Sequence, residues 1–201
     1  MNTKQTRFAS PDNHYTNPRL AGVYDMTCQP SPLEKTFYLS LAKPHNRTVL
    51  DVGCGVGILC DAFAENGHQV TGVDPAAAML AAAAKKPHSK KVEWVQATAQ
   101  GFKSQRRFDL IVMTGHAFQV LLSDDDIVAA TAKRISFEHY YQFPDETLSS
   151  PSTLRFASCD DIRGFLDEAG LRVASLYGDW AMSPFDYCAS SEMIFIAKAK
   201  D

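Results

Sequence analysis

The sequence predicts an α/β fold: a doubly wound, mostly parallel sheet with helices on both faces and an added antiparallel strand pair. Three observations predict it. A short apolar run at Val49 and Leu50 leads into glycines at positions 53, 55 and 57, and an amphipathic stretch follows, with Ile58, Leu59, Ala62 and Phe63 apolar and Asp61 and Glu65 polar. That order reads as buried strand, tight turn and helix. A second strand, 69–73, ends on the acid Asp74. Further strand-like segments follow at 92–95 and 108–115, in the order of a sheet built through crossovers.

The first helix stops at Asn66 and Gly67, a usual C-terminal signal. Glycine in the preceding turn tolerates positive φ and lets a ligand lie against the main chain. The helix start behind it offers unpaired N–H groups to that ligand. A carboxylate at the tip of the second strand can accept hydrogen bonds from a ribose diol lying across the turn. The dinucleotide fingerprint G-x-G-x-x-G would need glycine at position 58, where the chain has Ile58.

The match is instead to D-x-G-x-G-x-G, from Asp51 to Gly57. This resembles the first motif of the class I S-adenosylmethionine (SAM) dependent methyltransferases, whose domain is Rossmann-like. The resemblance implies SAM as cofactor, wrapped by Asp51, Gly53, Cys54, Gly55 and Gly57, with Asp74 on the ribose hydroxyls. The stretch after Asp74 resembles the family's second motif, which places Pro75, Ala76 and Met79 against the adenine. Met79 equally suits an ordinary core position. Where family members often carry an acid for the adenine amino group, this chain has Thr98, beside Ala99, and a hydroxyl accepts that bond more weakly.

With 201 residues, the chain is most simply a loose N-terminal segment, 1–19, and one domain, 20–201. Its apolar and charged fractions, 45% and 21%, are those of an ordinary globular protein. A net charge of −3 gives no electrostatic footprint for nucleic acid or an anionic membrane. No apolar run is long enough to span a bilayer, and the polar N-terminus has no apolar signal region. Five cysteines with no C-x-x-C pair suit free thiols in a reducing cytoplasm, each read as a small buried residue. No metal site is expected.

Residues 20–25 read as ordered and 33–42 as a helix. In the family such N-terminal segments fold over the cofactor, which makes Tyr24 a candidate cofactor contact and Tyr38 a candidate substrate contact. Both also suit plain packing of helix on sheet. Pro75 sits where a helix's first residue belongs, and the alanine-rich run to Lys85 and Lys86 continues that helix. Ligands in such sheets lie beyond the C-terminal strand ends near the reversal of strand order, which brings Thr114 and His116 beside the methyl donor. His116 is the candidate general base; the plain alternative is a histidine that only bonds backbone at a strand end.

After a helix at 124–134 the family pattern fails. Members usually continue with a Pro-Gly-Gly turn and a fifth parallel strand, and this chain has neither. Residues 135–143 instead alternate, with Phe137, His139, Tyr141 and Phe143 on one side, the period of a half-exposed strand. The runs 144–146 and 149–152 look loop-like, and 153–156 reads as a returning antiparallel strand. An exposed apolar edge on the fourth strand is an aggregation hazard, so 135–143 is expected to pair with that strand or a closing strand and keep the sheet continuous. Strands inserted here in related enzymes cover the substrate pocket, which nominates Tyr141 and Arg155; surface decoration is the alternative for each. The helix after Ser158, closed by Gly170, and strands at 171–177 and 192–197 end the domain. Trp180, in the loop between those strands, either walls the substrate pocket or anchors the loop.

The expected activity is methyl transfer from SAM to a small molecule, driven mainly by positioning. A SAM-binding but catalytically silent relative acting through a protein partner is the second reading, and oligomeric state is not legible.

Overall fold

The computed structural model describes residues 12–115, 117–121 and 133–200. Strands β1 (Thr48–Val52), β2 (Gln69–Asp74), β3 (Val92–Gln96) and β4 (Leu110–Val112) form a parallel sheet in the order β3-β2-β1-β4. The two central strands are closed to solvent on both faces: Val49, Leu50 and Asp51 in β1 and residues 70–74 in β2 are all buried. Such strands carry near-continuous apolar sequence. Helix α4 (Ile58–Glu65) links β1 to β2, and α5 (Ala77–Ala83) links β2 to β3. Phe63 and Cys60 of α4 are fully buried with Val49, Val70 and Val112, and together they make the main core.

Ahead of the sheet stand three helices, which we number in chain order α1 (Asn13–Thr16), α2 (Pro18–Thr27) and α3 (Pro32–Leu41). The described part of the stretch expected to be loose is therefore largely helical. Asn17 caps α2, its side chain accepting from Arg19 N–H, with Pro18 at the first helical position. Ser31 and Glu34 form a capping box on α3. Helix α5 starts at Ala77, two residues later than Pro75 suggests.

The fourth strand is shorter than the sequence suggests. Its entry is pinned where Asp109 Oδ2 accepts from Thr48 N–H at 2.8 Å and Asp109 N–H donates to Thr48 Oγ1 at 3.0 Å. Residues 124–132 of the helix expected next lie outside the described residues, while Lys133 and Arg134 already belong to a strand.

The expectation of a continuous sheet is not met. Strand β5 (Lys133–Gln142) pairs along its whole length with β6 (Thr147–Phe156), which absorbs the run 149–152 read as loop, and neither joins the parallel sheet. Among the described residues β4 has no strand on its outer side, and Ile111 is 61% exposed. The cause lies in the partners that β5 finds. The expected antiparallel pairing is local, so it closes only a short loop. The register puts Phe137, His139 and Tyr141 on one face with Ser152, Ser150 and Leu148, and that face meets α1: Tyr141 Oη hydrogen-bonds His14 Nδ1 at 2.5 Å and Asn13 Nδ2 donates to the Ser149 carbonyl at 3.0 Å. The aromatic stripe is spent on the N-terminal helices. Helix α6 (Cys159–Glu168) and the pair β7 (Leu171–Tyr177) and β8 (Ile194–Ala199) complete the chain, with Ile194 reaching the main core.

Candidate functional site

The glycine turn is built by its neighbours. Gly53 and Cys54 N–H both donate to the Val73 carbonyl, at 2.8 and 3.0 Å, so the turn hangs on the end of β2. All three glycines have positive φ. A Cβ on Gly57 would sit 2.5 Å from the Trp94 ring and 2.9 Å from Ala83 Cβ, and one on Gly53 would sit 2.5 Å from Ala117 Cβ. At Gly55 a Cβ would meet nothing within 4 Å. Packing therefore requires two of the glycines, while the third borders open space where a ligand can lie on bare backbone.

Two carboxylates stand near the turn, one at the end of β2 and one buried near the end of β1. Asp74, at the tip of β2, accepts from Gly55 N–H at 2.9 Å through Oδ2 and from Ala76 N–H at 2.8 Å through Oδ1. Each oxygen keeps a second lone pair for a ligand. Burial pushes the Asp74 carboxyl up, against the pull of those two N–H groups. Asp51 is 1% exposed; its Oδ2 accepts from the Cys60 thiol at 3.4 Å, and its Oδ1 has no partner among the described residues. Burial pushes Asp51 up to about 7. A buried carboxylate oxygen without a donor is costly, and one beside the turn fits a ligand that brings a donor there.

Helix α2 covers the same end. Ala21 packs with Val56, Ala76, Ala78 and Met79, and Tyr15 and Tyr24 lie against that group. Both phenols are pushed up by burial, with Asp74 among the charges acting on them. An ion pair between Lys86 and Asp25 ties α2 to the end of α5. Pro75 lies between, its carbonyl accepting from Gln96 Nε2 at 3.2 Å. Thr98 Oγ1 accepts from Gly101 N–H at 3.0 Å, holding the turn past β3, and Ala99 next to it is exposed. Thr114 lies just past β4, half-buried.

The remaining candidates scatter. His116 lies outside the described residues. Tyr38 is buried, and its ring meets Trp180 at 5.4 Å and Phe37 at 5.4 Å. In this arrangement Trp180 anchors its loop onto α3. Tyr141 belongs to a cluster with His14 and His139, their rings 5.7 and 6.0 Å from its own. Arg155 is 2% exposed, on the hairpin face opposite Tyr141, and its N–H donates to the Gln119 carbonyl at 2.8 Å. Sequence reasoning missed His14, Tyr15 and Cys60. Asn17 and Pro18 signal the start of α2, but no side-chain cap marks α1, which carries the first two.

A glycine turn with an acid at each strand tip, under a helical cover, defines a class of α/β domain that binds a nucleoside-bearing cofactor. Residues 49–136 match the sequence profile of a family described as a methyltransferase domain. The chain is 35% identical over 104 residues to a ubiquinone biosynthesis O-methyltransferase of Rhodopseudomonas palustris (strain BisA53), covering 49% of this chain and 39% of that protein. The counterpart from Nitrobacter winogradskyi is 36% identical over 104 residues, covering 49% and 38%. The chain thus spans about two fifths of the length of these relatives. In structure it resembles the CcbJ methyltransferase from Streptomyces caelestis, with a TM-score of 0.75 at 17% identity over 95% of this chain and 100% of that one. It also resembles a sugar N-methyltransferase, KedS8, from Streptoalloteichus, with a TM-score of 0.66 at 13% identity over 100% and 98%. Over residues 49–136 the chain is thus similar to methyltransferase domains, and its fold is that of the structures it resembles.

Proposed function

We propose that this chain binds SAM and transfers its methyl group to a small molecule. The observation that carries the reading is the open face at Gly55, beside Asp74, which accepts the Gly55 N–H. Asp74 would hold the ribose hydroxyls, and Asp51 Oδ1 is available to an ammonium group. Ala76 and Met79 would floor the adenine, and Tyr24 would cover it from α2. When bound, SAM supplies an electrophilic methyl on a sulfonium. The residues of the chain then orient and exclude water: a closed, dry site strengthens each polar contact within it and favours in-line displacement.

Several features support a small acceptor. The hairpin and the N-terminal helices meet through Tyr141 and His14, and this covered side is where an acceptor would enter. The net charge of −3 argues against a nucleic acid. No helix of the described residues is long and apolar enough to cross a membrane. We assign the protein to the cytoplasm on its five free cysteines. Isothermal titration with SAM and with NAD tests the cofactor: SAM binding is expected, and NAD binding without SAM binding would overturn it. Methyl incorporation from labelled SAM into a metabolite extract tests the transfer and separates an active enzyme from a silent relative.

A further inference from the structure

A wall of rings joins the cover of the glycine turn to the hairpin, and it carries a hydroxyl–imidazole pair. His14 of α1 meets Tyr15 at 5.1 Å and Tyr24 at 5.4 Å, both edge-on. Those two tyrosines lie against Ala21, Val56, Ala76 and Met79 at the turn. On its other side His14 meets His139 at 5.8 Å and Tyr141 at 5.7 Å, and those two rings are 6.0 Å apart. The three rings tilt against one another by 31°, 37° and 36°, so they form a shallow aromatic triangle. Tyr141 Oη and His14 Nδ1 are hydrogen-bonded within it at 2.5 Å. His14 and Tyr141 are half-buried and His139 is exposed, so the triangle can be reached from outside. Two tethers hold it in place: Asn13 Nδ2 donates to the Ser149 carbonyl, and Arg19 clasps Asp145 and Glu146.

We propose that Tyr141 and His14 form a proton relay for the methyl acceptor, and that the acceptor is a flat ring bearing a hydroxyl, as in a phenol, lying against the triangle. The proposal rests on the methyl-transfer reading above. A planar acceptor stacks offset on rings arranged in this way, and His139, steadied edge-on by Phe137 at 5.0 Å, offers the most accessible face. The hydroxyl–imidazole pair selects oxygen over nitrogen. A neutral amine attacks through its own lone pair, whereas a hydroxyl oxygen becomes a good nucleophile only as its proton leaves.

The relay uses the tautomer of His14 with its proton on Nε2. His14 Nδ1 then accepts from Tyr141 Oη–H, and Tyr141 Oη keeps a lone pair for the acceptor's O–H. Burial raises the Tyr141 phenol, so it stays protonated and passes a proton on instead of standing as an anion. As the acceptor oxygen bonds to the methyl carbon, the C–S bond breaks and its electron pair stays on sulfur. The acceptor's proton moves to Tyr141 Oη while the Tyr141 proton moves to His14 Nδ1. A sulfonium, a hydroxyl and an imidazole become a thioether, a methyl ether and an imidazolium. The imidazolium returns its proton to water when the product leaves.

The test uses the whole protein with labelled SAM, and catechol, 4-nitrocatechol and aniline as acceptors. It is run at mildly alkaline pH, where 4-nitrocatechol is already an anion. Tyr141→Phe should lower kcat for catechol about 100-fold or more, the scale of positioned acid–base catalysis, with KM and SAM affinity little changed. The loss should shrink to a few-fold with 4-nitrocatechol, whose reacting oxygen has no proton to give. His14→Ala should lose the same step, and added imidazole should restore part of it. Aniline should be a poor acceptor beside catechol. Without SAM, NMR titration with catechol should shift the ring signals of His14 and His139 and leave those of His45 and His68, ahead of β1 and β2, in place. Equal losses for catechol and 4-nitrocatechol would make Tyr141 a packing residue and overturn the relay. Aniline preferred to catechol, unmoved His14 and His139 signals, or SAM binding without transfer to catechol would also overturn the proposal. A protein that binds no SAM would refute the cofactor reading itself, and titration calorimetry tells the two failures apart.

Discussion

Gly55 N–H donates to Asp74 Oδ2 at 2.9 Å, so the acid at the end of the second strand holds the glycine turn, and on the proposed function it would also hold the ribose. Asp74 thereby has two duties, and its second oxygen also carries the Ala76 N–H before α5.

Asp74→Ala is expected to remove charge-assisted bonds on the order of 1.5–3 kcal/mol. SAM affinity should drop by at least about tenfold, as titration calorimetry would read it. Asp74→Asn separates the duties, because an amide keeps one acceptor oxygen but turns a donor towards either Gly55 or Ala76 N–H. It should weaken SAM binding about as much as the alanine variant while staying folded. Normal SAM binding by either variant would remove Asp74 from the site.

Asp51 makes stability depend on pH in an unusual direction for an acid. Its carboxyl is raised to about 7 by burial, against about 3.9 in an unfolded chain. Between those values the folded state holds the proton and the unfolded state does not, so stability falls as pH rises through that window and levels above it. Asp51→Asn removes this dependence. The variant should gain on the wild type between pH 5 and pH 7 by up to about 1.4 kcal/mol per pH unit. Urea unfolding of both proteins across that range checks it; parallel curves would show that Asp51 titrates normally.

Arg19 clasps the hairpin to the cover of the site. Its guanidinium takes both oxygens of Asp145, reaches Glu146 at 2.8 Å, and lies 3.7 Å over the Phe143 ring. Because all three charged groups are substantially exposed, salt should weaken the clasp. Arg19→Ala is expected to speed amide hydrogen exchange severalfold in the turn 143–146 and the start of β6, leaving the parallel sheet unchanged. Arg19→Lys should fall between, having the charge but not the planar fork. Equal exchange in all three proteins would show that the hairpin is held elsewhere.

The sequence was legible where neighbours in the chain decide the outcome. From Val49 to Asp74 strand, turn, helix and acid follow one another, and each element carries its own signal of period, glycine or cap. The contacts that complete the site are not local. Cys60 reaches back to Asp51 across the turn, and Arg19 meets Asp145 across most of the chain; no periodicity announces either. The stripe Phe137, His139 and Tyr141 was legible as a strand face, but the surface it would cover was not. It has the apolar width to pack on a sheet, and α1 took it first through His14.

Gly55 and Gly57 separate what the fold needs from what the ligand needs. Both have positive φ, 52° and 72°, so alanine at either costs roughly 1–2 kcal/mol in backbone energy. Beyond that they differ. The Cβ of Gly57→Ala would press on the Trp94 ring and Ala83, and Trp94 is not free to move, since its Nε1–H donates to the Ser89 carbonyl at 3.2 Å. Overpacking of that kind adds about 1–3 kcal/mol. The Cβ of Gly55→Ala meets no protein atom, so that variant should lose only the backbone term. It should nonetheless bind SAM poorly, because its methyl stands where the cofactor would lie on the turn. Thermal unfolding and SAM titration of the two variants should therefore rank them oppositely to a purely structural turn: Gly57→Ala the less stable, Gly55→Ala folded yet impaired in binding. A Gly55→Ala protein that binds SAM as the wild type does would mean that the open face of the turn is not the cofactor site.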